Sequence, residues 1–138
     1  MEEEFRQKLR DKIESPREVD PHILEVVDYI YQGKREIQVE ISCPEFTSLC
    51  PQTGLPDFGK LTIRYIPQRL VIELKSLKYY LLQYRQVGVF YEHLVNQILG
   101  DLVAVAQPKY MEITGEFTSR GGISTKVRTE YRKEEEKN

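Results

Sequence analysis

The chain changes from strand-like to helix-like spacing of its apolar residues and back again, and this succession constrains its fold more than any other feature. Apolar and polar residues alternate, as they do in half-buried strands, over residues 37–41 and 61–65 and again over 111–117 and 123–129. A short further strand is predicted at 70–73. Two groups of strands on either side of a helical middle predict a single α+β domain.

The middle of the chain has helical spacing. Leu77, Tyr80, Leu81 and Tyr84 fall at i, i+3, i+4 and i+7, and a second helix is predicted over about 91–106. Roughly four strands and two helices make one open two-layer sheet, whose edges must be paired or protected. Oligomerisation that continues the sheet across subunits would cover these edges and place active sites at subunit boundaries.

Composition is informative mainly for what it excludes. The 138-residue chain is 40% hydrophobic and 30% charged with a net charge of −2, which gives no electrostatic case for nucleic acid or a membrane surface. No apolar run is long enough to span a membrane, and the acidic start at 1–6 is unlike a signal peptide. We therefore expect a cytoplasmic protein in which Cys43 and Cys50 are free thiols.

Both ends of the chain are rich in charge. Phe5, Leu9 and Ile13 recur at four-residue spacing, which predicts a short amphipathic helix that ends at 15–16. The apolar residues of 22–31 indicate a helical or irregular covering segment. We expect an N-terminal extension over 1–34, a catalytic domain over 35–132 and a charged tail over 133–138.

A proline-rich segment, 43–58, holds both cysteines and follows the first predicted strand. Pro44, Pro51 and Pro56 fix backbone angles and Gly54 permits a tight turn, so the segment is predicted to be a rigid loop. Such a loop can hold Cys50 close to Asp57, and a thiol beside a carboxylic acid can act as nucleophile and proton donor. The alternative is that each cysteine is a small buried apolar residue.

Two basic stretches are candidates for anion binding. Lys75 and Lys78 lie at the start of the first long helix, where helix electrostatics favour acids, so an anionic ligand such as a phosphate would explain them. The sequence Arg120-Gly121-Gly122 is a second candidate. The alternatives are a solvated basic face for the lysines and a hairpin turn for the glycines.

Other side chains could bind a purine or a metal. Glu92, at the start of the second helix, can accept two hydrogen bonds from an amidine-like purine edge, or can simply complement the helix terminus. Cys43, Cys50, His22 and His93 do not have the usual zinc spacing, so no metal site is expected.

Together these segments resemble the short nitrile reductases of queuosine biosynthesis. The segment 43–58 is similar to the nucleophile loop of that family, and 73–80 fits its nicotinamide-cofactor signature at all eight positions. Further matches are Phe90, Glu92 and 117–124. The resemblance covers about 37–131, and no motif covers the N-terminal segment.

The resemblance implies a fold and a reaction. Members reduce 7-cyano-7-deazaguanine to 7-aminomethyl-7-deazaguanine with two equivalents of NADPH and without a metal. They have the tunnelling fold, also found in GTP cyclohydrolase I: an antiparallel four-stranded sheet carries two antiparallel helices on one face and joins across subunits into a barrel. The expected assembly is a homo-oligomer, a decamer of two stacked pentamers with sites at subunit interfaces, that binds no nucleic acid or membrane directly.

The resemblance also implies roles for individual residues. Cys50 would add to the nitrile to form a thioimide, Asp57 would donate a proton, and Cys43 would be structural. The implied substrate-binding residues are Ile72, Glu73, Leu74, Phe90, Tyr91 and Glu92. The implied cofactor-binding residues are Lys75, Ser76, Lys78, Tyr80, Arg120, Gly121 and Gly122.

One position departs from the family pattern. Members often carry histidine before the substrate glutamate, where this chain has Tyr91, and His93 cannot substitute because residues two apart point to different faces of a helix. Two other functions stay open: an archaeosine-type amidinotransferase that uses the same thioimide on tRNA, and a non-catalytic barrel protein that binds pterins or purines. The intact segment 73–80 favours the reductase.

Overall fold

The computed structural model describes residues 1–135 and contains three α-helices and six strands within that range. In chain order the elements are α1 (Glu2–Asp11), β1 (Val26–Asp28), β2 (Val39–Leu49), β3 (Pro56–Ile66), β4 (Leu70–Ile72), α2 (Leu74–Leu82), α3 (Tyr91–Ala106), β5 (Tyr110–Arg120) and β6 (Ile123–Arg132). Short 3₁₀ turns cover Pro16–Glu18, Pro21–Ile23 and Gln83–Gln86.

The main sheet has four antiparallel strands in the order β2-β3-β5-β6. The predicted α+β class and four-stranded antiparallel sheet are therefore confirmed. The short strand β4 does not join this sheet, because it pairs with β1 in a separate two-stranded sheet. Strands β2 and β6 form the two edges of the main sheet.

The core lies between one face of the sheet and the helices. Helix α3 packs on β5 and β6, whereas α2 and the turn after it pack on β2. Fully or almost fully buried side chains alternate along β3 and β5 and recur along the helices, and burial of each contributes about 1.5–3 kcal/mol. The largest include Leu61, Ile63, Tyr65, Met111, Ile113, Leu94, Ile98 and Leu102.

The proline-rich segment is shorter as a loop than predicted. Strand β2 continues to Leu49 and β3 begins at Pro56, so only residues 50–55 form the loop. A register shift between Cys43 and Phe46 accommodates Pro44, and Pro56 takes the first position of its strand. Bulges and strand starts are the places where a sheet tolerates proline. Cys43 accordingly lies within β2, opposite Leu61, and not at the end of a strand.

The N-terminal prediction is partly confirmed. Helix α1 forms, but it ends at Asp11 and not at Ser15. The segment after it contains β1 and two 3₁₀ turns where a helical or irregular segment was predicted. At the other end, β6 includes Arg132, and the amide of Lys133 donates to Lys109, so the predicted charged tail begins with an anchored residue. Residues 136–138 of that tail lie outside the described range.

Candidate active site

The loop 50–55 is a closed turn that presents Cys50. The Cys50 amide donates to the Leu55 carbonyl at 2.9 Å, and the Gly54 amide donates back to the Cys50 carbonyl at 2.8 Å. Gly54 has φ of +76°, a conformation that favours glycine. Cys50 is half-buried and both cysteines are free thiols. The nucleophile candidate is therefore held at a fixed place at the end of β2.

The surroundings of Cys50 favour its thiolate. Burial opposes the charged form, but hydrogen bonds from the Thr53 side chain and from the amides of Gln52 and Thr53 outweigh it and lower the pKa of Cys50 below its ordinary value. The Thr53 hydroxyl also accepts from the Leu55 amide at 3.2 Å, which fixes its position. Burial instead raises the pKa of Cys43. The two thiols are thus distinguished by their environments, as reactive and inert cysteines generally are.

A testable consequence concerns Thr53. In Thr53→Val the thiolate loses a hydrogen bond, so the pKa of Cys50 should rise and its alkylation by iodoacetamide should shift to higher pH by about one unit. At pH well above the pKa the rates of variant and wild type should converge. Alkylation is followed by peptide mass, which separates Cys50 from Cys43. Thr53→Ser keeps the hydroxyl and is the matched control; an unshifted curve in the valine variant would contradict this account.

Asp57 lies in β3 and only 5% of its surface is exposed. Nη2 of Arg120 lies 2.7 Å from its Oδ1, although this oxygen has no partner with hydrogen-bond geometry within residues 1–135. Arg120 also donates to the carbonyl of Pro56. The Asp57 carboxylate acts on Cys50 through its charge, which raises the pKa of the thiol and partly offsets the hydrogen bonds that lower it. Arg120, proposed from the sequence as a phosphate ligand, thus lies beside the candidate proton donor.

Tyr91, at the start of α3, completes this cluster. Burial and the adjacent Asp57 carboxylate raise the pKa of Tyr91 to about 12, so its hydroxyl stays protonated and faces Asp57 as a potential donor. Its ring stacks on Phe117 with centroids 3.8 Å apart and planes 7° apart. His93, two residues along the helix, is exposed. The helix therefore presents Tyr91, and not His93, to the candidate catalytic pair.

Phe117 is a site residue whose packing role was not predicted from the sequence. Its ring lies across two strands, where methyl groups added at Gly59 or Gly115 would come within 2.7 Å and 2.8 Å of it. Glycine is required there because the ring occupies the space of a side chain. Part of this packing could have been predicted from the sequence, since Gly115 precedes Phe117 by two residues and lies on the same face of the strand. The contact with Gly59 could not, because it depends on the register between β3 and β5.

The N-terminal segment packs directly on this loop. A methyl group at Gly54 would lie 2.8 Å from the carbonyl oxygen of Leu9, and one at Gly88 would overlap Ile13. Glu14 pairs with the segment that includes Gly88, which in turn pairs with Leu49, the residue before the nucleophile. The N-terminal segment is therefore bonded through one intervening strand segment to the start of the Cys50 loop.

A second cluster lies at the start of α2. The carboxylate of Glu73 caps this helix, accepting from the amides of Lys75 at 2.9 Å and Ser76 at 2.7 Å. These amide bonds lower the pKa of Glu73. Because Glu73 accepts from these two amides, an anion at this end of α2 would be bound by the lysine side chains and not by the Lys75 and Ser76 amides. The ammonium groups of Lys75 and Lys78 remain exposed.

Two residues of the predicted cofactor set are structural in the protomer. Tyr80 is fully buried; its hydroxyl donates to Asp101 at 2.5 Å and lies 2.8 Å from that of Tyr84. Ser76 is also buried, and its hydroxyl donates to the carbonyl of Glu73 and accepts from the amide of Glu25. Direct contact of either side chain with a cofactor has no support in this placement, and packing explains both positions.

The remaining predicted residues are mostly accessible. Leu74 and Phe90 are 61% and 51% exposed, Glu92 is exposed, and Ile72 is buried. Gly121 and Gly122, with φ of +57° and +83°, form the exposed turn between β5 and β6, as the hairpin alternative predicted. Exposed aromatic and aliphatic residues beside a carboxylate can bind a flat, polar-edged ring.

The predicted site residues thus fall into two groups. Cys50, Asp57, Tyr91 and Arg120 interact with one another, and Phe90 and Glu92 flank Tyr91 in sequence. No hydrogen bond or ion pair within residues 1–135 joins this group to Glu73, Lys75 or Lys78. The described part of the chain holds no group of three or more potential metal ligands. Among its helices, none is both long and apolar enough to cross a membrane.

The fold and the cluster define a class of protein: tunnelling-type α+β domains that carry a thiol of lowered pKa beside a carboxyl group. Residues 56–136 match the family model described as QueF-like protein. A curated protein of Caldanaerobacter subterraneus, named NADPH-dependent 7-cyano-7-deazaguanine reductase, is 56% identical over 117 residues, covering 85% of this chain and 87% of its own length. A Caldicellulosiruptor bescii protein of the same name is 52% identical over 133 residues, covering 96% and 100%. This chain belongs to the QueF-like family.

A solved structure supports the fold. The apo form of the archaeosine synthase QueF-Like superposes with a TM-score of 0.60 at 22% identity, covering 69% of this chain and 91% of the other. At that identity the likeness concerns the fold alone. The resemblance to nitrile reductases inferred from the segments 43–58 and 73–80 is confirmed by the sequence relatives.

Proposed function

We propose that this chain is an NADPH-dependent 7-cyano-7-deazaguanine reductase that acts in queuosine biosynthesis. The observation that carries the proposal is the thiol of Cys50, with its pKa lowered, beside Asp57 in a chain that shares 56% identity with a reductase of that name. It is an oxidoreductase that reduces the nitrile to an aminomethyl group. The roles of the individual residues and the use of two NADPH per turnover are part of the proposal.

The first step is covalent addition. The Cys50 thiolate attacks the nitrile carbon, a carbon–sulfur bond forms, and one π pair of the nitrile moves to nitrogen. Asp57 donates a proton to this nitrogen, which gives a neutral thioimide. The Tyr91 hydroxyl, which keeps its own proton beside Asp57, would donate a hydrogen bond to that carboxylate after the proton has left.

Reduction then follows in two stages. NADPH supplies a hydride for each stage. After the first hydride reaches the thioimide carbon, the Cys50 sulfur leaves with the carbon–sulfur bonding pair and an imine remains. The second hydride reduces the imine to the amine, and protons taken up from the site complete the product. Cys50 is regenerated as a free thiolate and is not consumed in the reaction.

Substrate recognition would use the residues around the cluster. Glu92 and Glu73 are suited to accept hydrogen bonds from the amidine-like edge of the deazaguanine. Each oxygen of Glu73 accepts one amide, and a carboxylate oxygen can accept a further donor. Phe90 offers an exposed ring for stacking, and Ile72 and Leu74 flank Glu73. Because Glu73 and Glu92 belong to different groups in the protomer, we propose that one subunit supplies each.

This arrangement requires a homo-oligomer. Strands β2 and β6 leave two edges of the main sheet, and pairing them between subunits would continue it into a barrel. We propose two stacked pentamers with active sites at the interfaces, in the cytoplasm, with a small-molecule substrate and no bound nucleic acid. Native mass spectrometry measures the subunit number directly, and a monomer at assay concentration would contradict shared sites.

Two lysines are proposed to bind the cofactor phosphates. Lys78 borders an apolar groove of about 370 Å³ between β2 and α2, whereas Lys75 borders a separate groove of about 390 Å³ beside Glu73. Arg120, Gly121 and Gly122 are the further proposed contacts. A lysine contact to phosphate is charge-assisted, and its loss from a bound cofactor weakens affinity without touching the reacting atoms.

We expect Lys75→Ala and Lys78→Ala each to raise KM for NADPH about tenfold with little change in kcat. The measurement is initial-rate kinetics at saturating nitrile. Lys60→Ala, which removes an exposed lysine of β3, is the control and should leave KM unchanged. Because the two lysines border different grooves, an effect in one variant alone would identify the groove that holds the phosphates. No effect in either would sink the cofactor assignment.

The function is tested by mixing the protein with 7-cyano-7-deazaguanine and following NADPH absorbance. The reductase should consume two NADPH per nitrile and form the aminomethyl product. Formation of a covalent adduct without NADPH oxidation would favour the archaeosine-type amidinotransferase alternative; the structural neighbour is named an archaeosine synthase. Absence of both adduct and oxidation would leave only the non-catalytic alternative.

A further inference from the structure

Two buried polar atoms near the cluster lack hydrogen-bond partners. Within residues 1–135, the buried side-chain oxygens without a partner are Oγ of Ser48 and Oδ1 of Asp57. Ser48 is fully buried and Asp57 nearly so. A buried polar atom without a partner is costly, so native proteins keep few of them, and those at functional sites call for a functional explanation.

The two atoms belong to directly opposed residues. Ser48 in β2 and Asp57 in β3 are register partners, and both point to the helix-covered face of the sheet. Side chains of opposed residues on neighbouring strands have Cβ atoms about 4.5–5.5 Å apart, within reach of a hydroxyl and a carboxylate. The register thus places a hydroxyl donor opposite the carboxyl group whose Oδ1 lacks a hydrogen bond, although Arg120 forms an ion pair with it.

The present neighbour of that oxygen is a less suitable anchor. Nη2 of Arg120 approaches Oδ1 at 2.7 Å without hydrogen-bond geometry, and the arginine side chain is 41% exposed. Ser48, by contrast, is enclosed on β2 two residues before Cys50. A serine in that position connects the strand that carries the nucleophile with the carboxyl group that must protonate the substrate.

We propose that Ser48 is a positioning residue for Asp57. Its hydroxyl donates to Oδ1 when the nitrile occupies the site, which fixes the carboxyl rotamer and leaves Oδ2 to deliver the proton to the nitrile nitrogen. This inference rests on the proposed reductase function, because the proton that Asp57 delivers belongs to that reaction. Ser48 itself touches neither substrate nor cofactor in this role.

The test compares variants that separate the hydroxyl from packing. Ser48→Thr and Ser48→Val have nearly the same shape and differ by the hydroxyl, so any cost of the added carbon is shared. We expect kcat for NADPH oxidation to be about tenfold lower in the valine variant than in the threonine variant, with KM for NADPH equal. Ser48→Ala should also lose about tenfold in kcat without a lower Tm, since it removes an unpaired buried hydroxyl.

A double-mutant cycle shows whether Ser48 acts through Asp57. In an Asp57→Asn background, Ser48→Ala should have no further effect on the rate of adduct formation, whereas a purely structural role would give additive losses. Ser42→Ala removes an exposed serine hydroxyl of the same strand and should leave kcat unchanged. Equal kcat in the threonine and valine variants, or additive losses in the cycle, would overturn the role of Ser48. If the wild-type protein is active in the same assays, the proposed reductase function still stands. An inactive wild type would overturn both.

Discussion

We expect Cys50→Ala to reduce the rate of NADPH oxidation with 7-cyano-7-deazaguanine by at least about 1,000-fold, as removal of a covalent nucleophile generally does. Addition of the thiolate to the nitrile carbon precedes both hydride transfers, so no later step can proceed without it. The measurement is NADPH absorbance at saturating nitrile, with circular dichroism to verify the fold.

The second cysteine supplies the control for this prediction. Cys43 lies within β2, and its burial raises the pKa of its thiol, whereas hydrogen bonds lower that of Cys50. Cys43→Ala should therefore retain turnover within a few-fold of wild type. Substantial activity in Cys50→Ala would show that Cys50 is not the nucleophile. Loss of activity in Cys43→Ala alone would indicate that Cys43 is the nucleophile instead.

The second large effect is expected at Gly54, where α1 lies against the nucleophile loop. Gly54→Ala should lower the free energy of unfolding by about 2–5 kcal/mol. The left-handed backbone costs about 1–2 kcal/mol for a residue with a side chain, and the contact of the methyl group with the Leu9 carbonyl adds about 1–3 kcal/mol. Because the loop holds Cys50, the rate of adduct formation should also be lower in Gly54→Ala than in the wild type. Urea unfolding and adduct kinetics measure the two effects.

Gly33 separates the two causes. It has φ of +78°, close to that of Gly54, but an added methyl group there would meet nothing within 4 Å. Gly33→Ala should therefore show only the backbone cost and keep the wild-type rate of adduct formation. If both variants lose the same stability and both keep full activity, the contact between α1 and the loop has no role in placing Cys50.

The elements with strong local signals were predictable from the sequence. Helix α3 spans Tyr91–Ala106 as predicted, because its apolar stripe is broad and Pro108 follows it closely. The four strands of the main sheet were found from their alternation, but β2 and β3 are longer than predicted because prolines were interpreted as loop residues. Pro44 at a register shift and Pro56 at a strand start are compatible with strands.

The parts that were missed depend on long-range contacts. Strand β1 was predicted as helical or irregular, since Ile23, Val26, Val27 and Ile30 have helical spacing, and pairing with β4 overrides that preference. The proximity of Arg120 to Asp57 joins residues 63 positions apart. The packing of Leu9 on Gly54 has no local signal, because it depends on how α1 crosses the loop.

The candidate site was predictable to a similar degree. The pairing of Cys50 with Asp57 stays a prediction: Cys50 opens the turn 50–55, and Asp57 is the second residue of β3 directly after that turn. Tyr80 and Ser76 fit the nicotinamide-cofactor signature but are buried and hydrogen-bonded within the protomer. The signature covers more than one turn of α2, so it includes residues on both the buried and the exposed side of the helix. A motif therefore located the site without separating ligand contacts from packing.

Covalent capture of the nitrile at Cys50 is the most direct test of the central claim. The wild-type protein is incubated with 7-cyano-7-deazaguanine without NADPH, and the intact mass and the digested peptides are measured. We predict one adduct per chain that carries the full mass of the nitrile, since addition expels nothing, located on the peptide that contains Cys50 and discharged when NADPH is added. An unmodified Cys50 under these conditions, in a protein that still oxidises NADPH with the nitrile, would contradict the covalent mechanism.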